Sequence, residues 1–281
     1  LGEEEFEIAR DMFDDWLATT QTEIQPTHVF SAAYAHYRTG SLARAEALVA
    51  RAIAEAGEPD DNWDRLHYQV LFEREKYDAA ESVLLRMLSR SPDDPMRWSM
   101  LSNHFLRLED SASALAVMLL SYQQDLVEDA DDLRKIVSLY SFVDVPDRAA
   151  RHLEAWMQEG ELEADAETLR RLGDLWMLAR ERSKAKDVLE QAAAVAPDGR
   201  TWELLGGLYF EDENWPAAYS AFDKALSAGG LKEPHRVALL AGLSAYRAGM
   251  NDEARAALEQ AAESDKLKAQ AEGLLARLDG V

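Results

Sequence analysis

The stretch WELLGGLYFEDENWPAAYSAFDKAL, residues 202–226, contains two helical patterns separated by a short polar break. Within each half, key small and apolar residues recur at helical spacing: Trp202, Leu205, Gly206 and Tyr209, then Ala218, Phe222 and Ala225. Residues at such intervals fall on one face of an α-helix. The stretch therefore predicts two amphipathic helices joined by a tight turn.

The same pattern recurs along the 281-residue chain with a period near 34, and Gly173 and Gly206 hold equivalent positions 33 residues apart. The recurrence predicts seven helix pairs, at about 27–56, 62–90, 95–124, 130–159, 165–195, 199–228 and 233–263. Residues 3–20 match only the second helix of a pair, so we expect half a repeat there. Residues 266–278 carry one apolar stripe after the last pair and predict a capping helix.

A helix pair repeated about every 34 residues is typical of the tetratricopeptide repeat (TPR), and the chain resembles that family over nearly its whole length. The opening stretch contains W-x-x-L-G-x-x-Y and A-x-x-x-F literally. The resemblance implies an all-α fold, a right-handed α-solenoid that spans residues 1–281 as one domain. Each repeat is expected to bury its apolar face by stacking on the next.

Two local details follow from the pattern. Gly173, Gly206 and Gly242 lie inside predicted helices, where glycine is unfavourable, so we expect close approach of the paired helix. We place that contact at the alanine twelve residues later, which is Ala185, Ala218 or Ala254. The predicted second helices begin near residues that could cap their N–H groups, namely Ser41, Ser111, Asp144, Asn214 and Asn251.

The net charge narrows the classes of partner. Acidic residues outnumber basic residues 53 to 30, which gives a formal net charge of −23. A phosphate backbone or an anionic lipid surface would be repelled, so nucleic acid is not expected as a partner. No apolar run approaches the ~20 residues that span a bilayer, so membrane insertion is not expected either. The acidity itself fits either solubility or a basic partner.

The residues that usually carry chemistry do not form recognisable sites. The chain has no cysteine, and none of its six histidines is spaced three or four residues from another. No serine lies in a G-x-S-x-G turn. We therefore expect no enzymatic activity, no cofactor and no bound metal.

A protein-binding surface remains the main functional hypothesis. In the TPR family, the first helices of successive repeats line a concave groove. The positions in this chain that match that groove predict a partner-binding set of Arg65, Phe72, Asn103, Arg134, Phe142, Arg170, Phe210 and Tyr246. Three arginines recur there at one repeat position, although each could instead pair with a carboxylate of a neighbouring repeat. The set does not match the family's two-carboxylate clamp, which has Lys or Arg followed four residues later by Asn.

Three longer stretches are similar to a narrower bacterial group, the TPR proteins encoded beside TonB–ExbB–ExbD systems. They are residues 61–88, 139–176 and 198–234, which include VPDRAARHLEAW and KALSAGGLK. The resemblance implies a periplasmic accessory of TonB-dependent transport, whose longer N-terminus would carry an export signal upstream of Leu1. The alternative is a generic TPR adaptor in the cytoplasm or in a polysaccharide-export or secretion assembly.

The half repeat at the N-terminus predicts a further contact. Without a first helix to cover it, its stripe of Phe6, Phe13 and Trp16 is expected to be partly uncovered. Exposed apolar patches tend to find partners. We therefore expect end-to-end homodimers through this half repeat.

Overall fold

The computed structural model describes residues 2–57, 60–127 and 129–280, and all regular secondary structure in these ranges is α-helical. Sixteen helices are described: α1 (Glu3–Thr19), α2 (Pro26–Arg38), α3 (Leu42–Ala56), α4 (Asp61–Glu73), α5 (Tyr77–Arg90), α6 (Pro95–Arg107), α7 (Ser111–Gln123), α8 (Ala130–Phe142), α9 (Pro146–Glu159), α10 (Ala166–Leu178), α11 (Arg182–Val195), α12 (Gly199–Glu211), α13 (Trp215–Ala228), α14 (Pro234–Arg247), α15 (Asn251–Ala262) and α16 (Lys268–Leu278). Helices α2 to α15 form seven consecutive pairs, with α1 before them and α16 after them. The predicted all-α fold of TPR-like helix pairs is confirmed.

The chain forms two compact units, Leu1–Asp132 and Leu133–Val281. Unit 1 contains α1 to α7, and unit 2 begins in the first turn of α8 and continues through α16. Within each unit, helices that follow one another in the sequence pack together, as α2 does on α3 and α10 does on α11. That residues 1–281 form a single solenoid stays a prediction.

In unit 1, α1 packs on α2 with a different face from the one expected. Phe6 is only 7% exposed, because its ring lies against Tyr34 and beneath the Arg38 guanidinium, 4.3 Å from the ring centroid. Phe13 is half-buried against the core of α2 and α3. The expectation that the stripe of Phe6, Phe13 and Trp16 is partly uncovered was therefore wrong for Phe6, which lies seven residues before Phe13 and faces α2 with it.

The exposed apolar stripe of α1 consists instead of Ile8, Met12 and Trp16. Ile8 is 56% exposed and Met12 is 68% exposed, while Trp16 keeps an edge contact with His28. The three residues are spaced four apart and so share one face of the helix. Of the predicted stripe, only Trp16 belongs to this face.

A buried carboxylate links the two helices of one repeat in unit 1. The side chain of Asp64, on α4, is fully buried and accepts hydrogen bonds from Arg86 and Arg90, both on α5. The two guanidiniums are partly exposed. This arrangement supplies the pairing that a buried charge requires.

In unit 2, the glycines inside helices do mark close approaches, but to a different partner. A Cβ atom added to Gly206 would lie 2.5–2.9 Å from ring atoms of Phe222. The equivalent Cβ at Gly173 would meet Leu189, and that at Gly242 would meet Leu258. The contact therefore falls sixteen residues later rather than on the alanine twelve residues later. Side chains in a helix lean towards its N-terminus, so a long Leu or Phe reaches back over the glycine.

Every repeat turns between its helices in the same way. The residue two positions before each second helix has a positive φ, at Gly40, Glu75, Glu109, Asp144, Arg180, Glu213 and Gly249. The next residue donates its backbone N–H to the carbonyl five residues earlier, as Ser41 does to His36 and Asn214 does to Tyr209. These features define a Schellman motif, which ends the first helix and positions the second.

The predicted caps of the second helices were wrong, although α7 is capped by the side chain of the preceding residue, Asp110. Ser41 and Asn214 are at cap positions, but their backbone is not extended and their side chains form no capping hydrogen bond. In three repeats the cap position belongs to the neighbouring residue, at Asp110, Val145 and Met250. Side-chain caps occur mainly on first helices, where Asp60, Asp94, Asp165 and Asp198 accept from backbone N–H groups.

The predicted capping helix is α16. Its apolar stripe packs against buried residues of α14 and α15, and Ala271 is fully buried there. The stripe contains Leu267, Ala271, Leu274, Leu275 and Leu278. The last helix pair of unit 2 is therefore covered on its outer face, as expected for a terminal repeat.

Candidate functional site

Unit 2 contains a cleft of about 690 Å³ on the face formed by its first helices. Four guanidiniums line this arginine cleft, from Arg134 on α8, Arg170 and Arg171 on α10, and Arg200 on α12. The cleft is also lined by three acidic residues, Asp165, Glu167 and Asp174. Smaller polar and apolar side chains complete the lining. The lining thus carries one more positive than negative formal charge, in a chain whose net charge is −23.

The repeat itself places these arginines together. Arg134 is the fifth residue of α8, and Arg170 is the fifth residue of α10. Equivalent positions in stacked repeats lie on the same face, so the two guanidiniums come from neighbouring first helices to one cleft. Arg171, the next residue of α10, donates to Ser141 Oγ of α8 at 3.2 Å.

Two of the carboxylates near the cleft also cap helices. Asp165 accepts from the Thr168 backbone N–H at 2.7 Å, and this bond, helped by the charge of Arg134, lowers the pKa of Asp165. Burial would raise the pKa of Asp198, but its hydrogen bonds with Thr201 and the charge of Arg170 outweigh burial and lower it. Both carboxylates are therefore committed to the starts of α10 and α12.

Two of the ion pairs that the cleft arginines form are long. Arg170 Nη1 lies 3.5 Å from an Asp198 oxygen, and Arg200 Nη2 lies 3.6 Å from an Asp174 oxygen. Charge-assisted hydrogen bonds between such groups are usually about 2.7–2.9 Å. These contacts leave room for a shorter, better aligned bond between a guanidinium and another anion.

Asp174 is the carboxylate that an incoming anion would compete with for Arg200. It is half-buried in the cleft, and burial raises its pKa, although the charges of Arg200, Arg171 and Arg170 oppose that effect. Burial thus weakens the preference of this group for its charged form.

The structure brings together part of the predicted partner-binding set. Arg134 and Arg170 line the same cleft, and Phe142 ends α8 with 71% of its surface exposed. Phe210 is half-buried and its ring contacts Trp215 and Phe222, while Tyr246 is half-buried on α14. Arg170 has the carboxylate partner in the next repeat that the alternative reading allowed.

The other three predicted residues belong to unit 1. Arg65 on α4 is exposed and its Nη2 lies 3.3 Å from the sulfur of Met96. The ring of Phe72 is half-buried and covered on one face by the Arg107 guanidinium, at 3.4 Å from its centroid. Asn103 is exposed on α6. Partner contact by these residues stays a prediction.

Two arginines of the cleft were missed from the sequence. Arg171 follows Arg170 directly, and Arg200 lies six residues before Gly206. Neither residue holds the position of the first helix at which Arg65, Arg134 and Arg170 recur. Arg200 is equivalent to Glu167 of the preceding repeat, so the charge at this repeat position changes from negative to positive. In the structure, the positive charge of Arg200 lies beside Asp174.

Neither a metal site nor a membrane span is found among the parts of the chain that the structure describes. Residues 2–57, 60–127 and 129–280 contain no group of three or more His, Asp or Glu side chains placed to hold a metal ion. None of the helices described has both the length and the apolar character that crossing a bilayer requires.

Comparison with known proteins supports the fold. No family model and no curated protein matches the sequence. Among solved structures, the MamA protein is 22% identical over 63% of this chain and 94% of its own, with a TM-score of 0.50. YrrB, a TPR protein with an unusual peptide-binding site, is 15% identical over 68% of this chain and 97% of its own, with a TM-score of 0.52.

A third similar structure is Naa15/Naa10 bound to HypK-THB, which is 10% identical with a TM-score of 0.63. That match covers 92% of this chain but 40% of the other. At these identities the similarity shows the fold alone. Together with the repeat pattern, it shows that the chain has the tetratricopeptide-repeat fold.

Proposed function

We propose that this protein is a non-enzymatic protein–protein interaction scaffold that binds an acidic segment of a partner protein in the arginine cleft of unit 2. The observation that carries the proposal is the convergence of four guanidiniums on one cleft in a strongly acidic chain. The planar fork of arginine matches a carboxylate and forms two parallel hydrogen bonds with it.

The contacts within the cleft favour exchange with a ligand. The Arg170–Asp198 and Arg200–Asp174 pairs are 3.5 and 3.6 Å long. A bidentate contact with a partner carboxylate would contribute about 1.5–3 kcal/mol where it is partly shielded from water, less the contribution of the long pair that it displaces. A contact at the open edge of the cleft would contribute about 0.2–1 kcal/mol.

The known fold agrees with a binding role. YrrB, which shares the fold, has a peptide-binding site. The stack of first helices in unit 2 offers an open face to such a segment.

The resemblance to TPR proteins encoded beside TonB–ExbB–ExbD systems supports a finer proposal. On that basis the protein is a periplasmic accessory of TonB-dependent transport, and its acidic ligand belongs to that machinery. The competing proposal is a generic adaptor in the cytoplasm or in an export assembly. Cell fractionation followed by immunoblotting separates the two, since a cytoplasmic signal alone contradicts the periplasmic assignment.

Binding is tested by fluorescence anisotropy with a labelled peptide of alternating Asp and Ser. Peptides with Lys or Asn in place of Asp serve as ligand controls. The variant Arg134→Gln/Arg170→Gln removes two charges from the cleft. The matched control, Arg151→Gln/Arg182→Gln, removes two charges from exposed positions on the second helices α9 and α11.

We expect the acidic peptide to bind the natural chain, more weakly as salt is raised, because salt screens the ion pairs. The cleft variant should bind it about tenfold or more weakly, and the control variant should lose much less. Equal losses in both variants would mean that only the overall charge matters. Circular dichroism of each variant establishes that its helices are intact.

A further inference from the structure

An exposed apolar surface lies on the same two helices as three of the cleft arginines. Phe142 is the last residue of α8 and Leu178 is the last residue of α10. They are 71% and 68% exposed, and we call this pair the apolar ledge. Equivalent positions of consecutive repeats lie on one face of the stack, and contiguous exposed apolar surface often marks a binding site.

The ledge is specific to these two helices. The other described first helices, α2, α4, α6, α12 and α14, end instead in a charged residue: Arg38, Glu73, Arg107, Glu211 and Arg247. Helices α8 and α10 therefore differ from the rest at the position that forms the ledge. They also carry Arg134, Arg170 and Arg171.

The distance from the cleft to the ledge follows from the helix geometry. Phe142 lies eight residues after Arg134, and Leu178 lies eight residues after Arg170. At about 1.5 Å per residue, the separation along each helix axis is about 12 Å. An extended chain advances about 3.3 Å per residue, so about four of its residues cover that distance.

We propose that the arginine cleft and the apolar ledge form one site for an extended partner segment that has two carboxylates and, about four residues away, a large apolar side chain. This inference rests on the proposed function and specifies its ligand. The carboxylates would contact the guanidiniums, and the apolar side chain would lie against Phe142 and Leu178. Neither half of the site provides both charge recognition and apolar burial, so the spacing between the two groups determines which segments bind.

The test uses labelled peptides of the form Asp-Asp-(Ser)n-Phe-Ser-Ser in which the number of spacer serines increases from none to about seven. Each has a partner in which Ser replaces Phe. With the natural chain, the affinity should be highest where Phe lies about four residues from the nearer Asp. At that spacing, replacing Phe with Ser should weaken binding about tenfold, because the apolar side chain loses its buried contact.

Substitution of the ledge gives the complementary measurement. In Phe142→Ser/Leu178→Ser the preference for one spacing should disappear, and the peptides with Phe and with Ser should bind equally. The control Leu120→Ser/Val195→Ser removes two exposed apolar side chains elsewhere and should keep the preference. The peptide series on the natural chain stands even if a variant folds poorly.

The outcomes separate this inference from the proposed function. If acidic peptides bind but Phe adds nothing at any spacing, the bipartite site is wrong and the arginine cleft still binds acidic segments. If Phe improves binding equally at every spacing, the ledge is not a fixed subsite and the inference is also wrong. If no acidic peptide binds, both proposals fail.

Discussion

Two adjacent glycines in α12 allow a sharp test of how the helix pairs pack. Gly206 faces Phe222, whose side chain is almost completely buried, and an added Cβ would lie 2.5–2.9 Å from its ring. A Cβ atom added to Gly207 would have no packing neighbour within 4 Å. The substitutions Gly206→Ala and Gly207→Ala therefore add the same methyl group to the same helix in opposite environments.

The expected difference follows from two terms. Alanine is favoured over glycine inside a helix by about 1 kcal/mol, and both variants gain this term. Only Gly206→Ala inserts the methyl group into a filled core, which costs about 1–3 kcal/mol. We expect Gly207→Ala to raise the free energy of unfolding by about 1 kcal/mol, and Gly206→Ala to lie about 1–3 kcal/mol below it.

Urea unfolding followed by far-ultraviolet circular dichroism measures the difference. The two variants should have similar slopes, so that a change in midpoint reports stability. Equal stabilisation of both variants would refute the close approach of α12 and α13 at Gly206.

Three further predictions concern stability and association. Burial lowers the pKa of His67, His104 and His152, so the unfolded chain binds protons more readily than the folded chain. The free energy of unfolding should therefore fall as pH drops from about 7.5 to 5.5. The fall should be less steep in His104→Leu, which removes one of these groups. A pH-independent urea midpoint over that range would contradict this. In urea titrations, Asp64→Asn should destabilise unit 1 by about 1–3 kcal/mol, because it weakens the hydrogen bonds with Arg86 and Arg90. The control Asp93→Asn, at an exposed position, should change stability by less than about 0.5 kcal/mol. Self-association through α1 stays a prediction: sedimentation velocity should show concentration-dependent dimers that Ile8→Ser/Met12→Ser abolishes, and a natural chain that remains monomeric at high concentration would contradict it.

The sequence predicts the helix pairs well because each pair repeats the same apolar pattern. A spacing such as Leu205–Gly206–Tyr209 states which face of a helix is buried, and its recurrence removes the ambiguity of a single match. It does not state how a partner side chain leans across the interface. For that reason the glycines were recognised as close contacts but their partners, such as Phe222, were placed one turn too early.

The candidate site is predictable only in part because it depends on several repeats at once. Arg134 and Arg170 were found because they occupy the same position in successive repeats. Arg171 and Arg200 occupy other positions of the repeat. Only the stacking of α8, α10 and α12 brings all four arginines to one cleft. The burial of Phe6 was missed for a similar reason, because the positions of Tyr34 and Arg38 relative to its ring depend on how α1 packs on α2.

The turn inside each repeat keeps one backbone conformation although its residue type varies. The same left-handed conformation is held by glycine at Gly40 and Gly249 but by charged residues in the other five turns. A side chain costs about 1 kcal/mol in that conformation, so the packing of the flanking helices, not the turn residue, fixes the bend. Glycine at those five positions is consequently a route to a more robust protein that leaves the arginine cleft untouched. The same tolerance allows neighbouring repeats to diverge in surface charge while their backbones keep one geometry.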